Sequence, residues 1–128
     1  MQSHASEETG RAALLACAPY YFSKAQLESG INLLRSVPFN CHAANWWFQK
    51  ITELHFTAQW IPQEIETLIV GGAHDSVTPF SLFKNDARFQ RENIRLHLLE
   101  QSGHFSWLDQ PQEIKALFQE LISRLLME

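Results

Sequence analysis

The sequence predicts an α/β protein: helices over residues 1–60, then a strand-helix-strand-helix unit over residues 61–128 whose two strands run parallel. Three observations predict it. Glu66-Thr67-Leu68-Ile69-Val70 is a short β-rich run ending on Gly71-Gly72, the signature of a buried strand. Ile94-Arg95-Leu96-His97-Leu98-Leu99 is a second such run, alternating at first. Helical patterns lie between and behind them, and strand, helix, strand in that order implies a right-handed parallel crossover. A chain of 128 residues has room for one domain and hardly two, so both parts are expected to form one compact unit.

The elements follow in order. Arg11 to Phe22 is mostly apolar and reads as helix interrupted at Pro19. Ser23 followed by Gln26 has the spacing of a capping box, which predicts a helix starting there. Its apolar positions Leu27, Ile31 and Leu34 share one face. Gly30 weakens that helix by about 1 kcal/mol, and Pro38 ends it. Asn40 suits the N-cap of the next helix, in which Ala43, Trp47, Ile51 and Leu54 form a stripe with Trp46 and Phe48 beside it. His42 and His55 fall on helical stretches, and His97 on one sheet face. Phe80 to Phe89 reads as a helix after Thr78-Pro79. Pro111 fits a first helical turn, and Ile114, Leu117, Phe118, Leu121, Ile122 and Leu125 keep helical spacing behind it. A sheet of two parallel strands leaves both edges open, so this unit is expected to want more strands than the sequence supplies.

Composition excludes several classes. Hydrophobic residues make up 45% and charged residues 19%, which suits a globular core rather than a disordered chain. A net charge of −4 without any Lys/Arg block argues against a nucleic-acid reader. No apolar run approaches the ~20 residues of a membrane helix. The first residues carry neither a basic nor an apolar signal region, so a cytoplasmic protein is expected. Cys17 and Cys41 make neither a disulfide framework nor a zinc set, and read as reduced, buried, inert thiols.

Two loops hold the chemistry. Each follows a strand: Gly71-Gly72-Ala73-His74-Asp75-Ser76-Val77-Thr78-Pro79 and Gln101-Ser102-Gly103-His104-Phe105-Ser106-Trp107. Functional groups in open parallel sheets gather past the carboxyl ends of strands, where Asp75 and His104 are both expected. Neighbouring glycines would let the backbone turn sharply and bring the side chains together. A carboxylate accepting from Nδ1–H fixes the imidazole tautomer and frees Nε2 to take a proton. Taken singly, each residue has a plainer reading. Asp75 would bond local amides in its turn, and His104 would be a loop histidine. His74, Asp75 and His104 could also converge on a metal, although their spacing matches no metal pattern.

Leu68-Ile69-Val70-Gly71-Gly72, Asp75 and Thr78-Pro79 resemble the acid loop of the α/β-hydrolase fold. Ser102-Gly103-His104-Phe105, with Trp107 and Pro111, resembles its histidine loop. The resemblance covers Ile61 to Leu126 and is nearest to proline iminopeptidase-like hydrolases. It implies a partial α/β-hydrolase fold. Residues 1–60 would be a cap-like segment, Asp75 the triad acid and His104 the triad base, with no cofactor. Glu66 departs from the proline many relatives carry there. A larger departure is the absence of any Gly-x-Ser-x-Gly nucleophile elbow, of an oxyanion-hole loop and of the first strands. Without its serine an Asp–His pair has nothing to activate. Ser102 is too near His104 in sequence to be presented to it and reads as a turn serine.

The expected function is therefore that of a serine-hydrolase family member, inactive as this chain alone. It would act on a small ester, amide or peptide once completed, and the resemblance implies release of an N-terminal residue from a peptide. An N-terminal hydrolase fragment would complete it. The alternative is a non-catalytic α/β module that self-associates as a homodimer. Trp46, Trp47 and Phe105 are candidates for the wall of an apolar substrate pocket. Trp46-Trp47-Phe48 has a plainer reading as a helix packing face, and the favoured expectation is a surface for another chain.

Overall fold

A computed structural model describes residues 6–51, 53 and 60–127. Helix α1 (Glu7–Ala16) begins ahead of Arg11 because Ser6 and Thr9 cap each other reciprocally at the end of the helix that needs donors satisfied. Cys17 closes α1, and α2 (Ala18–Tyr21) restarts at once with Pro19 in its first turn, where a missing N–H costs nothing. The Ser23–Gln26 capping box does not form. Helix α3 (Leu27–Ser36) starts after Gln26 without a side-chain cap, and the Ser23 hydroxyl instead donates to the Asp109 carboxylate at 2.6 Å. A charged acceptor makes the stronger bond, so the distant partner wins over the local one. Asn40 does cap α4 (Cys41–Lys50), accepting from the Ala43 amide.

Ala18, Phe22 and Leu34 form a buried cluster, ringed by Leu14, Leu15, Tyr21, Leu27, Ile31, Phe105 and Leu108. Leu27, Ile31 and Leu34 thus share the predicted face, and Gly30 leaves room for the Phe22 ring. Helix α4 behaves otherwise. It packs on α1 but buries none of its residues, and the expected stripe of Ala43, Trp47 and Ile51 is exposed. Leu54 and His55 lie outside the described residues, and His42 sits on α4.

Strands β1 (Thr67–Gly72) and β2 (Ile94–Leu99) pair in parallel, with Thr67 opposite Ile94 and Gly72 opposite Leu99. The coarse expectation of an α/β protein with parallel strands therefore holds. The single helix expected over Phe80–Phe89 is instead α5 (Ser81–Lys84) and a 3₁₀ turn (Ala87–Phe89). Asp86 divides them, because its carboxylate accepts the Arg88 amide and caps the second piece. A short helix, α6 (Ser106–Asp109), precedes α7 (Pro111–Leu125).

Helix α7 lies against the sheet face that carries Arg95 and His97. Arg95 pairs with Glu120, Arg124 with Glu66 at 2.7 Å, and His97 Nε2 with Glu113 at 3.0 Å. Among its apolar positions only Leu117 is buried, while Phe118, Ile122 and Leu125 stay about half exposed. Their helical spacing is as predicted, but nothing among the described residues covers them. The strands pair only with each other among those residues and are mostly half-buried. No helix among them is long and apolar enough to cross a membrane.

Candidate active site: an Asp–His pair at the strand ends

Past its last residue, β1 continues to bond the second loop. The Ala73 amide donates to Leu99 O at 2.9 Å and the His74 amide to Ser102 O at 2.8 Å. Asp75 then closes a turn onto Gly72 O at 3.2 Å. The glycines here serve close approach rather than unusual torsions, since no described residue has a positive φ. A Cβ on Gly72 would lie 2.3 Å from Ser102 O, and one on Gly103 would lie 2.6 Å from Tyr21 O. The sharp turns expected from glycine are thus replaced by backbone contacts that no side chain permits.

These contacts bring Asp75 and His104 together. His104 Nδ1 lies 3.0 Å from Asp75 Oδ2. The plainer turn reading of Asp75 holds as well, because the two oxygens divide the work. Oδ1 accepts the amides of Val77 at 2.8 Å and Thr78 at 2.9 Å, while Oδ2 takes the imidazole and the Thr78 hydroxyl at 2.8 Å. The Asp75 side chain is 6% exposed and that of His104 31%. Burial by itself would raise the Asp75 carboxyl. The Thr78 amide, the His104 imidazole, the Thr78 hydroxyl and the Val77 amide outweigh it and hold the group below its ordinary value. An ionised Asp75 fixes the proton on Nδ1 of His104. Nε2 makes no hydrogen bond to the described residues and is left as an acceptor.

Three further residues complete the site: Thr78, quoted above as part of the acid-loop resemblance, and Tyr21 and Asp109, which sequence reasoning did not single out. Thr78 braces Asp75 and lies 3.3 Å from His104 Nδ1. The Tyr21 carbonyl accepts the His104 amide at 2.7 Å, and its ring sits 5.7 Å from the imidazole. Asp109 accepts from Ser23 and from the Gly103 amide at 2.7 Å. Thr78 and Asp109 left faint signals, a hydroxyl and a carboxylate each just ahead of a proline, Pro79 and Pro111. Tyr21 acts through its backbone, which any residue would supply.

The remaining candidates fall in different places. Phe105 is half-buried against the helical core, where it stacks on Phe22 at 4.8 Å and meets Trp107 edge-on. Trp47 lines an apolar groove of about 520 Å³ with Leu14, Phe39, Phe48 and Tyr21. Trp46 is exposed on α4. A more polar cleft of about 800 Å³ runs between Asp75, Gln26 and Gln110. Ser102 is fully buried, with its hydroxyl 3.2 Å from Gly103 O and 3.5 Å from Asp109, which is the behaviour of a turn serine. Cys17 is exposed where α1 meets α2, against the expectation of a buried thiol, and Cys41 is half-buried. Among the described residues no three His, Cys, Asp or Glu side chains converge to hold a metal ion.

No protein-family model, curated protein or solved structure matches the chain.

Proposed function

We propose that this chain carries the acid and base of a Ser-His-Asp triad within a partial α/β-hydrolase fold of the proline iminopeptidase type, in a cytoplasmic setting that suits its free thiols. One observation supports the reading above all. An ionised carboxylate and an imidazole meet at 3.0 Å past the carboxyl ends of adjacent parallel strands, and Nε2 has no hydrogen-bond partner among the described residues. The serine and the oxyanion-hole amides come from outside this sequence. His104 Nε2 takes the serine proton as Oγ attacks the ester, amide or peptide carbonyl. Asp75 stabilises the imidazolium that results, and His104 returns the proton to the leaving alcohol or amine. Water then cleaves the acyl-serine with His104 again as base. By itself the chain is inactive.

A fluorophosphonate probe tests this. The purified chain stays unlabelled, whereas a mixture with an N-terminal hydrolase fragment carrying Gly-x-Ser-x-Gly becomes labelled on that serine. Labelling falls at least 100-fold with His104→Ala. Stoichiometric labelling of the chain alone, or labelling indifferent to His104, defeats the proposal.

A second reading rests on the half-exposed Phe118, Ile122 and Leu125 and on the open edges of the sheet. In it the chain is a non-catalytic module, and a second copy covers these surfaces in a symmetric dimer. Sedimentation separates the readings: a stable monomer at micromolar concentration rules out the dimer.

A further inference from the structure

We propose that Asp109 is a positioning residue for His104, and that the helical segment sets the geometry of the histidine through it. The carboxylate joins two distant pieces of chain. Oδ1 accepts from Ser23 Oγ at 2.6 Å, just past α2, and Oδ2 accepts from the Gly103 amide at 2.7 Å, in the peptide next to His104. Ser102 Oγ lies 3.5 Å from the same Oδ2. The following amide, that of His104, is taken by Tyr21 O at 2.7 Å. Two consecutive N–H groups of the histidine loop are thus held by Asp109 and Tyr21. Ser23 and Tyr21 flank Phe22, whose ring stacks on Phe105 just after the histidine.

The consequence is geometric. Gly103 sits against the Tyr21–Ser23 backbone with no room for a Cβ, so the loop has one seat and Asp109 latches it there. The Nδ1–Oδ2 bond is 3.0 Å long. A loop displacement of about 0.6 Å or more takes it out of hydrogen-bond range. A carboxylate placed only for stability would change the melting temperature and leave the imidazole proton where it is.

The inference rests on the Asp75–His104 pairing, and its test reads that pairing directly. In protein labelled with ¹⁵N-histidine, the folded wild type shows a single His104 tautomer with the proton on Nδ1 and slow exchange. Folded Asp109→Ala shows a mixture of tautomers, and exchange of that proton is at least tenfold faster. Asp109→Asn restores the wild-type signal, because its oxygen accepts the Gly103 amide and its NH₂ donates to Ser23. If Asp109→Ala does not fold, Ser23→Ala is read in its place and speeds exchange at least threefold. Wild-type tautomer and exchange in Asp109→Ala, or in Ser23→Ala where that stands in, overturn the inference while leaving the pairing intact. A wild type without the single Nδ1–H tautomer overturns the pairing, and this inference with it.

Discussion

Gly72→Ala tests the packing that joins the two loops, and it does so by sign. Gly72 has no positive φ. In such a conformation, alanine ordinarily stabilises by about 0.4–1 kcal/mol, because it narrows the unfolded ensemble. Here the added Cβ would stand 2.3 Å from Ser102 O and 2.4 Å from Gly103 O. Reaching even the 3.0 Å that real Cβ contacts respect requires a backbone shift of about 0.7 Å. Neither obstacle is a side chain that can swing aside. The shift also strains the 2.8 Å bond from the His74 amide to Ser102 O. Overpacking of this kind costs about 1–3 kcal/mol and a lost hydrogen bond about 1 kcal/mol. A net loss of about 1–3 kcal/mol remains after the unfolded-state gain. Urea unfolding followed by tryptophan fluorescence and circular dichroism measures it, with coincident curves as the check on two-state behaviour. A midpoint equal to or above that of the wild type refutes the steric argument outright.

Further outcomes follow from the same contacts. Phe22→Ala removes a 4% exposed ring stacked on Phe105 and is expected to cost about 3–5 kcal/mol in urea unfolding. Thr78→Val removes the hydroxyl bonded to Asp75 Oδ2 at 2.8 Å and should cost about 1 kcal/mol, with faster exchange of the His104 Nδ1 proton by NMR. The Asp75 carboxyl is lower in the folded protein than its ordinary 3.8, so the unfolded chain binds more protons. Its contribution to stability is present above about pH 4 and is lost as pH falls through the folded value. Urea midpoints of the wild type should therefore fall more steeply below about pH 4 than those of Asp75→Asn, and parallel curves would contradict the assignment.

Much of this fold was legible because it rests on local rules. Both strands, the N-cap at Asn40, the Pro111 start of α7 and the shared face of Leu27, Ile31 and Leu34 follow from periodicity and capping. The misreadings have a common cause. Ser23 looks like a helix cap until a carboxylate from the far end of the chain competes for its hydroxyl. Phe80 to Phe89 looks like one helix until the Asp86 side chain caps its second half. In both cases a side-chain hydrogen bond that hydrophobic periodicity does not register decided, from 86 positions away for Ser23 and from two positions away for Arg88.

The pairing of Asp75 with His104 divides in the same way. Strand order and loop position are enough to place both residues past the ends of neighbouring parallel strands, because hydrogen-bonded strands stand a fixed distance apart. Amino-acid order alone therefore determined the α/β character, the parallel pair and which acid and imidazole could meet. Only tertiary structure decided that the helical segment holds the histidine loop, through Tyr21, Ser23 and Asp109. Two of those bonds, His104 to Tyr21 and Ser23 to Asp109, join residues more than eighty positions apart, while Asp109 reaches Gly103 across only six, and neither a backbone carbonyl nor a single carboxylate leaves a periodic trace in the sequence.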